Sequence, residues 1–155
     1  MAVDLFLTHS DYDHSGGIDL FPNAKIYLPK AEEQMITRIT PRRFWIYNWP
    51  IKRKYEMVSD NDITNLGPTK VQAILTPGHT PGSTCYLINN SMLFTGDNLR
   101  LNNGKAQPFS ALQNMDTKTQ KESLKKLALL KNVEILCTAH SGYSKDFEVL
   151  IKGLN

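Results

Sequence analysis

Short apolar runs broken by turn residues dominate this chain, and long helical stripes are few. Residues 3–8, Val-Asp-Leu-Phe-Leu-Thr, predict a short buried strand. Gly16-Gly17 permits a tight turn, and Ile18 to Leu20 predicts a brief helical start. Residues 24–28 predict a second strand ending at Pro29. Residues 31–39 predict a helix, with Glu32 and Glu33 favourably placed in its first turn. Beyond residue 56 the pattern becomes serial strands, at 57–59, 63–66, 71–75, 84–88 and 92–94. Asn89-Asn90 suits a hairpin turn because asparagine tolerates positive φ. Residues 116–131 predict the clearest helix: Thr117 and Gln120 resemble a capping box, and Leu124, Leu127 and Leu130 form one stripe. A strand at 133–138 and a helix capped by Ser144 and running to residue 154 complete a mixed α+β order.

Residues 40–56 depart from this pattern. They are aromatic and basic, bounded by prolines, and have no clean period. A long loop of this kind either docks its aromatics on the core or walls a substrate or partner surface.

At 155 residues the chain fits a single domain, and 41% hydrophobic with 21% charged residues is an ordinary soluble balance. A net charge of +3 is too small to imply a nucleic-acid partner. No apolar run is long enough to span a membrane, and the opening residues lack the pattern of a signal peptide, so a cytoplasmic protein is expected. Cys85 and Cys137 read as small buried hydrophobes in a reducing compartment, without the spacing of a structural zinc site.

The chemistry concentrates in the polar tips. Thr8-His9-Ser10-Asp11-Tyr12-Asp13-His14 sets two histidines and two carboxylates within six positions. The remaining histidines, His79 and His140, also follow strand-like segments, as does Asp97 after Met92 to Gly96. Core packing does not place every histidine of a chain at strand ends. Imidazole with carboxylate suits zinc, iron or manganese. Two such ions about 3.5–4 Å apart can share a hydroxide and polarise the group it attacks. A carboxylate such as Asp97 has two oxygens and can bridge both ions.

These residues lie in four ordered motifs: Thr8 to Gly17, Thr76-Pro-Gly-His-Thr-Pro-Gly-Ser83, Phe94-Thr-Gly-Asp97 and Thr138-Ala-His140. Together they resemble the metallo-beta-lactamase fold superfamily over residues 3–140. The resemblance implies an αββα sandwich with two metals between the sheets. It implies His9 and His79 as ligands of a first metal, Asp13, His14 and His140 as ligands of a second, and Asp97 as the bridge. Asp13 would also orient the hydroxide for attack, and Pro77-Gly78 and Pro81-Gly82 would shape the loop carrying His79. The second motif is similar to that of the glyoxalase II, lactonase and beta-lactamase-like branch.

Two features depart from the resemblance. The family pattern has histidine where this chain has Asp11, a shorter ligand that reaches the first metal directly, through water, or not at all while capping its loop. The family's iron-containing oxygen reductases, which carry glutamate there, are the nearer match at this one position. Family domains also carry several strands before the first motif, whereas here one strand precedes His9. The expectation is an N-terminally truncated sandwich with an open sheet edge, for which a misassigned gene start, a fragment, or a second copy covering the edge in a homodimer are the three accounts.

The function implied is a metal-dependent hydrolase. It holds one or two Zn2+ ions, with Fe or Mn as alternatives, and uses a metal-held hydroxide to cleave an ester, thioester, lactone or amide of a small-molecule substrate. The alternatives are an iron-dependent oxidoreductase-like domain and a non-catalytic metal-binding domain.

Overall fold

Leu5, Phe6 and Leu7 turn their side chains alternately to two different apolar layers, and this alternation organises the whole structure. In the computed structural model, which describes residues 3–154, β1 (Asp4–Phe6) pairs in parallel with β2 (Lys25–Pro29), and β2 with β3 (Glu56–Val58). A second sheet of six strands has the order β11-β10-β7-β6-β5-β4. Its strands are β4 (Ile63–Leu66), β5 (Thr69–Leu75), β6 (Thr84–Ile88), β7 (Met92–Phe94), β10 (Ile135–Cys137) and β11 (Tyr143–Ser144). The hairpin β8 (Leu99–Asn102) with β9 (Lys105–Pro108) stands apart from both sheets.

Three apolar clusters define the layers. Tyr27, Val58, Val71, Ala73 and Tyr86 lie between the sheets, with Phe6 stacked on Tyr27 at 4.2 Å between ring centroids. Ile26, Leu28 and Leu7 face the other way, against Ile18 and Ile36. On the far side of the large sheet, Cys85, Leu87, Leu93 and Leu136 pack on Leu124 and Leu127 of α3 (Thr117–Ala128) and Phe147 and Leu150 of α4 (Phe147–Ile151). The result is the αββα sandwich expected from the motifs.

The strands from residue 56 to 94 fall where the alternation puts them, and Asn89 and Asn90 adopt φ of 50° and 55° in the β6–β7 turn. The helices differ more. The segment 31–39 yields only a 3-10 turn, Lys30–Glu32, and α2 (Glu33–Ile36), and Arg38 at φ 60° ends helical geometry there. α3 is capped by Asp116, not Thr117: its Oδ1 accepts from the Thr119 amide at 2.9 Å. Ser144 lies in β11, and α4 begins after Asp146. The β8–β9 hairpin is absent from the predicted elements, although Leu99-Arg100-Leu101-Asn102 alternates apolar and polar residues ahead of a positive-φ Asn103-Gly104 turn.

Segment 40–56 docks one aromatic, Tyr55, with Ile51 against the Leu7–Ile26–Leu28 cluster, and leaves most of the others outside. Phe44, Trp45 and Trp49 are exposed, and the stretch Pro41 to Ile46 forms a wall over the ends of the sheets. Both cysteines are free. No helix among the described residues is long and apolar enough to cross a membrane. Among those residues β1 pairs with β2 alone.

Two local devices fix the loops at the strand ends. The first is Glu32, which is fully buried rather than facing solvent from a first helical turn. Its Oε1 accepts from the Ser10 amide at 2.9 Å and the Ser10 hydroxyl at 2.7 Å. Its Oε2 accepts from the Thr80 hydroxyl at 2.7 Å and the Gly82 amide at 3.0 Å. One carboxylate thus joins the loop after β1 to the loop between β5 and β6. The second device is Gly78, at φ 138°, where a Cβ would stand 2.3 Å from the Gln120 amide nitrogen of α3. Its carbonyl accepts from the Asp116 amide at 2.8 Å, which seats the loop on the start of that helix.

Glu32→Ala strips the Ser10 and Gly82 amides of their acceptor, and should lower unfolding stability by at least about 2 kcal/mol in urea titrations of the metal-free chain. A midpoint equal to that of the unsubstituted chain would disprove the joining role. Gly78→Ala should cost about 1–3 kcal/mol in the same assay, from backbone strain with the helix contact added. An unchanged midpoint there would show that the loop does not need glycine.

Candidate metal centre

Seven side chains converge at one end of the sandwich, from four separate segments. His9 follows β1, and Asp13 and His14 lie in the single turn α1 (Tyr12–Ser15), for which Asp11 is the N-cap residue. His79 lies in the β5–β6 loop, Asp97 in the 3-10 turn Gly96–Asn98 after β7, and His140 in the β10–β11 connection. The parallel β1–β2 and β7–β10 pairings aim the following loops to the same side.

They form two adjoining groups. Asp13, His14, Asp97 and His140 make one, and His9, Asp11 and His79 the other, with the ligand-capable atoms of each group within 4.8 Å of one another. In the first, His140 Nε2 is 3.3 Å from Asp13 Oδ2 and 3.2 Å from Asp97 Oδ1, and His14 Nε2 is 3.4 Å from Asp97 Oδ1. In the second, Asp11 Oδ2 is 3.3 Å from His79 Nε2 and 3.6 Å from His9 Nε2. Asp97 faces both, its Oδ2 lying 3.6 Å from His79 Nε2. The His9 and His14 rings are 4.0 Å apart between centroids.

All seven residues singled out in the sequence are therefore brought together. Asp11 does not cap its loop: its side chain makes no cap bond and instead turns to Arg42, Asn48 and the two histidines.

A metal fits the first group on the evidence of its own atoms. His14 Nε2 and Asp97 Oδ1 are buried and, among the described residues, have no hydrogen-bond partner. Buried polar atoms are nearly always satisfied, so two unpartnered atoms converging with two further ligand atoms define a cation cradle. His9 Nε2 in the second group is likewise unpartnered.

The electrostatics agree with that chemistry. Burial opposes the Asp97 charge, but the close approach of His14 and the facing His9 and His79 outweigh it and hold the carboxyl below its usual range. Burial also opposes the charge of His14, yet Asp97, Asp13 and Asp11 raise its pKa. His9 is lowered chiefly by burial, which keeps it neutral and free to ligate. For Asp11, burial is overcome by the imidazoles of His79 and His9 and the Arg42 guanidinium, which keep it ionised.

Sequence reading missed the supports around these groups. Asn114 Oδ1 stands 3.2 Å from His79 Nδ1, and Asn114 pairs with the fully buried Gln120, whose Nε2 reaches the Asp97 carbonyl at 3.4 Å. Thr8 Oγ1 lies 3.1 Å from His9 Nδ1. Phe109 sits between His79 and His140, with ring centroids at 5.4 and 5.9 Å. Thr8 opens the first motif beside its partner His9, whereas nothing local marks Asn114, Gln120 or Phe109, which act on His79, Asp97 and His140 from distant parts of the chain. The groups open into a cleft of about 1060 Å³, whose far wall is Arg42, Arg43, Phe44 and Ile46.

Comparison with known proteins places this geometry. A protein of Bacillus subtilis named "Probable polyketide biosynthesis zinc-dependent hydrolase PksB" is 35% identical over 94 residues, 59% of this chain and 36% of that protein. A solved archaeal metallo-beta-lactamase superfamily protein from Sulfolobus tokodaii superposes with a TM-score of 0.73 at 23% identity, over 98% of this chain and 66% of the other. A metallo-beta-lactamase family protein from Thermus thermophilus gives 0.70 at 19% identity, over 98% and 59%. The match thus spans about a third of the length of PksB, and the chain covers 66% and 59% of these two solved neighbours. The model of the metallo-beta-lactamase superfamily matches residues 3–140, and with that match, the shared fold and the ordered motifs, the chain belongs to the metallo-beta-lactamase superfamily.

Proposed function

We infer that this chain is a metal-dependent hydrolase that cleaves an ester, thioester, lactone or amide of a small molecule. The observation that carries the reading is the pair of unpartnered buried atoms, His14 Nε2 and Asp97 Oδ1, converging with Asp13 and His140 at the floor of an open cleft. The naming of PksB as a zinc-dependent hydrolase favours zinc, and the mixed imidazole and carboxylate donors suit that ion.

A divalent cation held by these residues acidifies water and polarises a carbonyl oxygen. The remaining work belongs to the protein. Asp13 is the half-exposed carboxylate at the cleft floor, its Oδ2 3.3 Å from His140 and 3.5 Å from His14. It orients the attacking water and accepts its hydrogen bond. Asp97, buried between the two groups, supplies negative charge to both. Phe44 and Ile46 on the opposite wall offer apolar surface to the acyl part of the substrate.

His14→Ala and Asp97→Ala should each lose bound metal and lower turnover of the best substrate by at least about a hundredfold, since even supporting residues cost 10–100-fold. Metal content by plasma mass spectrometry and hydrolysis of an ester, thioester and lactone panel make the test. Turnover unchanged in either variant would defeat the reading. Zinc added to the metal-free chain should also raise its melting temperature, since a ligand bound only by the folded state stabilises it. A melting temperature indifferent to zinc would count against a built site.

A further inference from the structure

Arg42 projects from the wall of the cleft into the His9–Asp11–His79 group. Its Nε lies 2.9 Å from both carboxylate oxygens of Asp11. Its Nη2 donates to the Gln113 carbonyl at 2.7 Å and stands 3.2 Å from His79 Nε2. The side chain is only 17% exposed. Its backbone is fixed as well: the Arg42 amide donates to the Ile46 carbonyl at 2.7 Å, and the Ile46 amide donates to the Arg43 carbonyl at 2.8 Å.

The direction of the Arg42–His79 contact follows from a chain of amides. The Asp97 carbonyl only accepts, so Gln120 presents its Nε2 there. Gln120 Oε1 then accepts from Asn114 Nδ2 at 2.8 Å, which turns Asn114 Oδ1 to His79 Nδ1. Nδ1 therefore carries the imidazole proton and Nε2 the lone pair, so Asp11 Oδ2, 3.3 Å from that nitrogen, meets no proton of His79 there and the two acceptors are held side by side by the guanidinium that donates to both. Arg42 donates to that lone pair, the same one a metal would use.

The Asp11 carboxylate is also engaged, by Arg42 at both oxygens and by Asn48 Nδ2 at 3.0 Å from Oδ1. Two of the three donors in this group are thus held by protein cations or amides and only His9 Nε2 lacks a hydrogen-bond partner among the described residues, whereas in the neighbouring group both His14 Nε2 and Asp97 Oδ1 lack one. The charges balance too. One carboxylate faces one guanidinium, and a dication among the same three donors would be repelled by Arg42, with Asp11 already committed. A carboxylate at position 11 lets both its oxygens share the Arg42 Nε–H, which an imidazole there could not do.

We propose that Arg42 is the resident cation of the His9–Asp11–His79 group, so that the chain holds a single metal ion, at Asp13, His14, Asp97 and His140. The proposal rests on the reading of the Asp13–His14–Asp97–His140 group as a metal site, and it explains Asp11 as the partner of Arg42 rather than as a weakened ligand.

The test is the zinc stoichiometry of the full chain after equilibrium dialysis, with circular dichroism to confirm folding. One ion per chain is expected in the unsubstituted protein, none in His14→Ala, and a doubling to two in Arg42→Ala. Two ions in the unsubstituted protein, or an ion retained by His14→Ala, would overturn the proposal while leaving the metal reading intact. One ion in folded Arg42→Ala would show that Arg42 does not exclude the second, and would overturn it as well. No ion in the unsubstituted protein would overturn both. Should Arg42→Ala fail to fold, the other two proteins decide the matter.

Discussion

Every ligand-capable side chain of this centre sits on a loop, and loops hold geometry only where something fixes them. The buried Glu32 carboxylate does this for the two loops that approach from different sheets. It accepts four hydrogen bonds from Ser10, Thr80 and Gly82, and so sets the distance between the segment carrying His9 and Asp11 and the segment carrying His79. A buried carboxylate without partners would cost several kcal/mol. With each oxygen bonded twice, the same charge becomes a rigid joint, because hydrogen bonds to an ionised acceptor are about twice as strong as neutral ones. The cost of removing it falls on the loops, whose amides have no water to turn to.

From this joint the arrangement propagates outward. Gly82 exists as glycine because a Cβ would stand 2.3 Å from the Glu32 amide nitrogen. The loop can then pass close enough for its own amide to reach Glu32. Gly78 plays the matching part against α3, and the helix answers with Gln120, whose amide reaches both Asn114 and the Asp97 carbonyl. The tautomer of His79 is thereby tied to the backbone of Asp97, its neighbour across the centre. A packed helix on the outer face of the sheet thus controls which nitrogen of a histidine carries a lone pair.

The parts of this architecture legible in the sequence are those with local signatures. Strand alternation from residue 56 to 94 and the Asn89-Asn90 turn were readable because period and turn chemistry lie within a few residues. The histidines and carboxylates were readable because polar side chains at strand ends have no packing role. Glu32 was misread as a helix-terminal acid, since burial of a charge is decided by partners 22 and 48–50 residues away. The helix caps slipped for a related reason: Asp116 outcompeted Thr117 once its side chain could bond both the amide and the hydroxyl of Thr119. The β8–β9 hairpin lies outside the two main sheets, but it too carries a local signature, Leu99 and Leu101 alternating with Arg100 and Asn102 before an Asn103-Gly104 turn, and it is a legible element missing from the predicted order.

Asp11 shows the same limit at the centre itself. Within its own motif it looks like a defective substitution, a short acid where an imidazole would reach further. Its meaning lies 31 residues away, in Arg42 of the aromatic loop, which turns in to the centre. That loop has no period because its residues serve two unlike surroundings. Arg42 and Asn48 reach down to Asp11, while Phe44 and Trp45 remain in solvent above the cleft. An irregular segment is what this division requires, since a helix or strand would turn successive side chains by a fixed angle and could not lower one cation into the centre while holding its aromatic neighbours over the opening.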